Sequence, residues 1–473
     1  MDPVLIGFIT YLVVILAVGF ITVRLTKTLA DFILAGRKLG PWVVAFSERA
    51  SGESAWLLIG LPGLALATGY NAIWPAIGCC SGILFSWLVI AKRLRLDTEK
   101  YNALTLPAFF EARFEDNTRS LRITATIIIV FFFTLYVAAQ FLAAGKVLNA
   151  TFGMSVFNGM ILGAVIILFY TIMGGFFAVA WTDLFQGIIM VFTLVLLPIA
   201  GIIELGGIQN MDAGIARFNA SLLSVCGDNT GWAAISSIIG GLAIGLGYMG
   251  QPHLIIRFMA IKNPEDLKKG TVIAIFWALL AFFGAVFVGI TGLSMFGGEF
   301  FADAEHVMPY MATALMPAWL AGIMISGAIA AMMSTADSQL LVSTAALSED
   351  IYHQMMNKKA DQKTLVKISR FSAVIIGVIA FLLALSAEQL VYWLVLYAWA
   401  GLGASFGPPL LLTLWWKKVT RQGVLAGMIT GTVTVLIWYN VPALKNFLYE
   451  LIPGFILSFI AVYVVSLVTY REE

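Results

Sequence analysis

The stretch RASGESAWLLIG, running from Arg49 to Gly60, sits within about thirty otherwise apolar residues. Counting Glu48, it carries an arginine and two carboxylates beside a Ser-Gly-Glu-Ser run whose short polar side chains compete with helix formation. Its reading decides the fold. The chain has 473 residues, 60% hydrophobic and only 11% charged, which is far outside the range of soluble globular domains. A charged break in such a chain reads as an interruption of a membrane-spanning helix. Irregular backbone at that depth is tolerated only where protein or a water-filled cavity surrounds it.

Outward from this stretch, apolar runs of roughly 20 residues bounded by charges or turn residues predict thirteen helices. They start near positions 3, 40, 73, 121, 156, 183, 232, 270, 318, 366, 389, 421 and 447. Basic loops stay on the cytoplasmic side, so Lys and Arg placement sets the orientation. With the N-terminus outside, the cytoplasmic segments hold 24 of the 28 basic residues, Arg24, Lys27 and Arg257 among them. The outer connections keep Lys146, Arg217 and Lys445, and Arg49 lies within the membrane. The expectation is a multi-pass protein of the cell (inner) membrane, N-terminus outside and C-terminus cytoplasmic. The first twenty residues lack a basic n-region and a small-residue cleavage site and read as a retained helix.

The formal charge of +2 reflects those loops and points to no nucleic acid. Cys79, Cys80 and Cys226 give neither a disulfide framework nor transition-metal spacing, and adjacent Cys79 and Cys80 read as small apolar residues of the third helix. Connections such as 93–119, 207–230, 297–317 and 350–368 are too short for a soluble domain. Function therefore falls to the helices, with no enzyme chemistry, cofactor or nucleotide motif expected.

A second break lies in GGLAIGLGYMGQPH, Gly240 to His253, with five glycines before Pro252. The two breaks fall in the second and seventh expected helices. That spacing predicts a 5+5 inverted repeat, helices 2–6 and 7–11, whose paired interruptions mark a transporter's binding site. The repeats would cover about 39–207 and 231–416, with peripheral helices at about 3–25, 421–441 and 447–470. Close packing of small residues such as Gly241 and Gly245 is the alternative reading of the glycines.

A charge at mid-bilayer costs at least a few kcal/mol, about 2.5–3.5 on insertion scales, so Glu48, Arg49 and Glu53 face inward. Glu48 and Arg49 read as an internal or gating charge pair, and Glu53 as a group meeting a cation or a solute amine. In SGAIAAMMSTADSQLLVSTAALSED, Ser326 to Asp350, Ala331, Ser334, Thr335 and Ser338 share one helix face, with Asp337 beside it. Sodium is a hard cation that seeks oxygen ligands, which such hydroxyls and a freed carbonyl supply. Alternatively the hydroxyls bond back to their own helix. Asp183, in TIMGGFFAVAWTDLFQG (Thr171 to Gly187), falls at the expected start of the sixth helix, which it or Thr182 would cap. With Asp337 it would share a second cation or a proton.

Several segments together resemble a solute:sodium symporter, most closely the sodium/proline branch. They are DFILAGRKLGPWVVAFS (31–47), WLLIGLPG (56–63), ALTLPAFFEARFED (103–116), FFTLYVAA (132–139), GGFFAVAWTD (174–183), GLGYMGQPHLIIRFMA (245–260), AAMMSTADSQLLV (330–342) and YAWAGLGASFGP (397–408). The resemblance implies an all-α, leucine-transporter-like fold of thirteen transmembrane helices. It implies a sodium site from the carbonyls of Ala50, Glu53 and Ala331 with the Ser334 and Thr335 hydroxyls. Asp183, Ser334, Asp337 and Ser338 would line the second site of two-sodium relatives. Trp56, Tyr136, Ile244, Tyr248, Gln251 and Pro252 would hold proline or a related amino acid. Three departures stand out: Gly52 and Glu53 where the proline branch has aspartate and methionine, Ile244 where it has tryptophan, and Asp337 where two-sodium relatives have serine. A sodium- or proton-coupled carrier of another organic acid or sugar, and a non-transporting sensor, stay open as alternatives. The partners expected are sodium, a small solute and the lipid bilayer.

Overall fold

The computed structural model describes residues 3–23, 28–386 and 390–471; Arg24, Lys27 and the expected helix start near 389 lie outside them. We number the main helices α1 (Pro3–Val23), α2 (Pro41–Gly52), α3 (Leu61–Thr68), α4 (Ile73–Phe85), α5 (Ala91–Lys100), α6 (Ser120–Phe152) and α7 (Val156–Glu204). There follow α8 (Gly231–Ala243), α9 (Pro252–Ala260), α10 (Leu267–Phe296), α11 (Ala318–Ala345), α12 (Gln362–Leu385), α13 (Val391–Trp415), α14 (Arg421–Asn440) and α15 (Leu451–Thr469). Among the described residues the only extended pairing is the isolated bridge between Leu39 and Ile261.

Eleven runs among the described residues are long and apolar enough to cross a membrane, so a count of thirteen is not reproduced on that measure. Two local features explain the difference. The run Trp56–Lys100 has 45 residues, about 68 Å of helix against a hydrocarbon core of about 30 Å, and the chain turns inside it at Gly69, where φ is 60°. The piece Val156–Phe169 is too short to qualify alone, because α7 is kinked at Gly175, with φ 60° and ψ −175°.

That kink corrects one expectation. The helix carrying Asp183 resumes directly after Gly175, so Thr182 and Asp183 lie inside it and cap nothing. The Thr182 hydroxyl bonds back to the Ala178 and Val179 carbonyls, 2.9 Å each. Arg257, expected in a cytoplasmic connection, instead sits within α9 and is fully buried. The connections are also less open than their length suggests, since Leu106–Arg113, Ile208–Asn219 and Val307–Leu315 are helical.

The core wraps the two breaks. Glycines let backbone touch backbone there: a Cβ on Gly82 would fall 2.1 Å from the Gly245 oxygen, and one on Gly245 2.1 Å from that of Gly78. The run after α8 is therefore pressed onto α4, so interruption and close packing coincide in the same residues.

The two ends of the bundle differ. At the end rich in basic residues, Leu39 N–H donates to the Ala260 carbonyl (3.3 Å) and Lys262 N–H to the Leu39 carbonyl (2.9 Å). Arg37 adds bonds to the carbonyls of Met259, Thr98 and Ala103, and Arg95 to that of Ile261. Those contacts close that end. At the other, a cavity of about 570 Å³ is lined by Asn71, Ser237, Ile244, Tyr392, Tyr439 and Glu450, among others.

Candidate functional site: two helix breaks and a buried charge network

The first break builds the best-formed cluster of oxygens. Regular bonding in α2 ends with Glu53 N–H donating to the Arg49 carbonyl, and Glu53 then takes φ −107° and ψ 53°. In a continuous helix the amides of Ser54 and Ala55 would serve the Ala50 and Ser51 carbonyls. Here the Ala55 N–H donates to Gln140 Oε1 at 3.1 Å instead. The carbonyls so freed receive hydroxyls from α11: Ser334 Oγ to Ala50 O and Thr335 Oγ1 to Ser51 O, both 2.9 Å. Ser334 Oγ also lies 3.1 Å from the Ala331 carbonyl. Ala50, Ala331, Ser334 and Thr335 thus meet, joined by Ser51, which the sequence reading left out.

Glu53 enters differently, since its carboxylate is already engaged. Arg49 Nη1 donates to its Oε1 at 2.6 Å, and the Tyr248 hydroxyl reaches both of its oxygens at 3.0 and 3.1 Å. Arg49 also bonds both oxygens of Glu48, which accepts from Trp87 Nε1 at 3.0 Å. One guanidinium therefore serves two carboxylates, all fully or almost fully buried. Tyr248 ties this triad to the second break.

That second break is held open by a tryptophan that sequence reasoning missed. Ile244–Gly250 winds into a seven-residue 3-10 helix, Gln251 is extended at φ −86° and ψ 105°, and α9 begins at Pro252. Trp399 Nε1 on α13 donates to the Ile244 carbonyl (2.9 Å), and the Trp399 carbonyl accepts from Gln251 Nε2 (3.0 Å). Its ring packs edge-on to Tyr248, with centroids 4.7 Å apart. Gly247 lies so close beneath that a Cβ would sit 1.9 Å from Trp399 Nε1.

Of the expected solute residues, Tyr136 approaches Ser54 (3.3 Å) and His253 (ring centroids 6.3 Å), placing it between the breaks. Trp56 packs its ring on Phe282 and Tyr392. Pro252 opens α9 and lines a small cavity together with Thr105, Ile129 and Val342. Only Ile244 of the six lines the large cavity, whose wall Tyr392 shares. The cavity therefore stops one aromatic layer short of Trp56.

The residues expected to line a second cation or proton site gather near Arg257. Asp183 Oδ2 accepts from Ser47 Oγ at 2.6 Å and Ser51 Oγ at 3.0 Å. Ser51 and Ser338 hydroxyls are 2.9 Å apart, and Ser338 Oγ donates to Asp337 Oδ1 at 3.1 Å. Arg257 was findable, because HLIIRFMA, His253 to Ala260, sets one charge among apolar residues. Gln140, the lone amide in LYVAAQFLAAG, was findable in the same way, and Ser47 borders the charges of the first break.

Residues 32–431 match the model of the sodium:solute symporter family. A high-affinity proline transporter, PutP, of Bacillus subtilis is 41% identical over 457 residues, 96% of each chain. A sodium/proline symporter of Escherichia coli is 41% identical over 472 residues, 98% of this chain and 93% of its own. Among solved structures, a substrate-bound, outward-open Na+-coupled sialic acid symporter superposes with a TM-score of 0.82 at 19% identity, covering 100% of this chain and 99% of its own. MhsT in complex with L-phenylalanine gives a TM-score of 0.57 at 12% identity, covering 91% and 98%.

Proposed function

The chain belongs to the sodium:solute symporter family, and from that membership we propose that it imports proline or a related amino acid by coupling it to inward sodium flow. The observation that carries this reading is the pairing of the Ala50 and Ser51 carbonyls with the Ser334 and Thr335 hydroxyls, a set of hard oxygens created by a helix break. Sodium binds there, with Ala331 and the backbone near Glu53 completing the set. The solute lies between the breaks against Trp56, Tyr136 and Tyr248, near Ile244, Gln251 and Pro252. Aromatic faces suit a pyrrolidine ring, and the backbone amides at a broken helix suit its carboxylate.

Alternating access follows from the bundle's two ends. The cavity admits solute from the face poor in basic residues while the Leu39–Ile261 contact closes the other. Sodium and solute each raise the other's affinity by the same factor, as linkage requires. The membrane potential supplies about 2.3 kcal/mol per charge per 100 mV. We place thirteen crossings in the inner membrane with the N-terminus outside, and repeats at about 39–207 and 231–416.

The test is uptake of labelled proline into proteoliposomes under an inward sodium gradient against an equal potassium gradient. Accumulation that requires sodium and is abolished by excess unlabelled proline supports the proposal. Equal uptake under both gradients rejects sodium coupling. A second reading keeps the ion and changes the solute, and the Arg49–Glu53 pair at the first break favours it. Sodium-driven uptake of another member of a solute panel, with none of proline, selects that reading.

Glu53 and Glu48 separate in the same assay. Glu53 joins both breaks through Tyr248, whereas Glu48 contacts Arg49 and Trp87. Glu53→Gln is expected to weaken apparent sodium or solute affinity several-fold more than Glu48→Gln does. Equal, mild effects would assign both carboxylates to the framework alone.

A further inference from the structure

The outer cavity carries one negative and one positive side chain, Glu450 and Lys445, on a wall that is otherwise uncharged among the described residues. Glu450 is only 4% exposed, yet among the described residues it makes no ion pair and no hydrogen bond to another residue. Buried carboxylates are ordinarily paired, because leaving water uncompensated is costly. Lys445 is half-buried, with Nζ 3.8 Å from the centre of the Tyr439 ring. No ion pair joins it to Glu450.

The segment bearing both charges is firmly seated. The Tyr449 hydroxyl donates to the Leu396 carbonyl of α13 at 3.0 Å, and Ser236 Oγ of α8 donates to the Phe447 carbonyl at 3.0 Å. Trp438 Nε1 of α14 reaches the Leu448 carbonyl at 2.9 Å, and Leu451, which opens α15, is fully buried. The connection between α14 and α15 is thus fastened to α8 and α13, the two helices that border the second break.

We propose that the outer cavity is a recognition site for the zwitterionic form of an amino acid, with Glu450 receiving its ammonium group and Lys445 its carboxylate before the solute passes Tyr392 toward the breaks. The inference rests on the amino-acid reading above and deepens it by naming the charge state the entrance accepts.

A wall with one charge of each sign prefers a solute that has both. An organic acid lacks the cation Glu450 needs, an amine lacks the anion Lys445 needs, and a sugar leaves both uncompensated. The volume of about 570 Å³ falls within the range of about 300–1,000 Å³ usual for small-molecule sites. Tyr392 and Trp393, also in the wall, supply apolar surface for the carbon skeleton. Because the pair comes from helices outside the expected repeats, recognition at the entrance should be separable from ion binding at the first break.

The experiment measures sodium-driven uptake of labelled proline into proteoliposomes holding the full chain. Two competitors of proline's size are added in turn: pyrrolidine, which lacks the carboxylate, and tetrahydrofuran-2-carboxylate, which lacks the ammonium. Glu450→Gln is expected to raise the KM for proline about tenfold and to narrow the preference for proline over tetrahydrofuran-2-carboxylate, with little change in maximal rate. Lys445→Met should narrow the preference over pyrrolidine instead. Glu450→Asp should keep most of the wild-type preference, and sodium dependence at saturating proline should be unaltered in all three. Folded variants whose KM and preferences match the wild type would overturn the inference. So would a fall in maximal rate alone, which would make the pair part of the framework. If Glu450→Gln is not monodisperse, Lys445→Met and its pyrrolidine preference decide. A wild type that accumulates no member of an amino-acid panel would instead strike down the amino-acid reading and this site with it, an outcome distinct from wild-type uptake that the variants share.

Discussion

Replacing Arg49 by methionine is expected to cost about 3–5 kcal/mol of stability, the penalty for removing one partner of a buried ion pair. The side chain serves Glu48 and Glu53 together, and the three groups are buried to within 2% of full enclosure. Methionine fills much of the volume but leaves two carboxylates facing each other without a counter-charge. The loss should appear as a sharply lower yield of monodisperse protein and an earlier thermal transition in detergent. A triple variant, Glu48→Met, Arg49→Met and Glu53→Met, should recover most of it, because replacing all members of a buried charge cluster by apolar groups of similar volume is often nearly neutral. If Arg49→Met alone melts with the wild type, the triad is not the internal support described here.

The second large effect concerns the ion. Ser334→Ala or Thr335→Ala is expected to raise the sodium concentration for half-maximal uptake tenfold or more, a loss of about 1.4 kcal/mol or above. Each substitution removes one oxygen from the set around the freed carbonyls of Ala50 and Ser51. Solute affinity at saturating sodium should change much less, which separates an ion ligand from a general defect. Ser326 on the same helix provides the control. Its hydroxyl bonds back to the Gly322 carbonyl at 2.7 Å, so Ser326→Ala should leave sodium dependence unaltered. Unchanged dependence in the Ser334 and Thr335 variants would remove those hydroxyls from the ion's path.

What was legible in the sequence follows from where local pattern and three-dimensional role coincide. Both breaks could be read because Ser-Gly-Glu-Ser and a glycine run ending in proline violate helical chemistry wherever they stand. The α11 stripe could be read because a face repeats every three to four residues. Arg257 was misplaced because counting basic residues for orientation assigns any charge near a helix end to a loop, although its apolar neighbours argued otherwise. Asp183 was misplaced because the kink at Gly175 lies well before the first charge, and the charge was taken as the boundary. Trp399 shows no local irregularity, while Gln140, alone in an apolar run, and Ser47, at the edge of the first break, show nothing of their partners. Each matters through a partner more than eighty residues away in the chain: Ile244, Ala55 and Asp183.

A carrier must run half its cycle empty, and the hydroxyls of Ser334 and Thr335 bear on that half. Serine and threonine are donors as well as acceptors. The structure shows them donating to the Ala50 and Ser51 carbonyls at 2.9 Å, and on the proposed sodium reading the same donation would cover those carbonyls whenever the ion has left. When an ion arrives, the same two oxygens need only rotate to offer lone pairs. The vacated site is thus never left with bare, buried carbonyls, whose cost would hold the ion in place after delivery. Ligands acting solely as acceptors would bind the ion and then resist its release; ligands that can swap roles let the empty protein return.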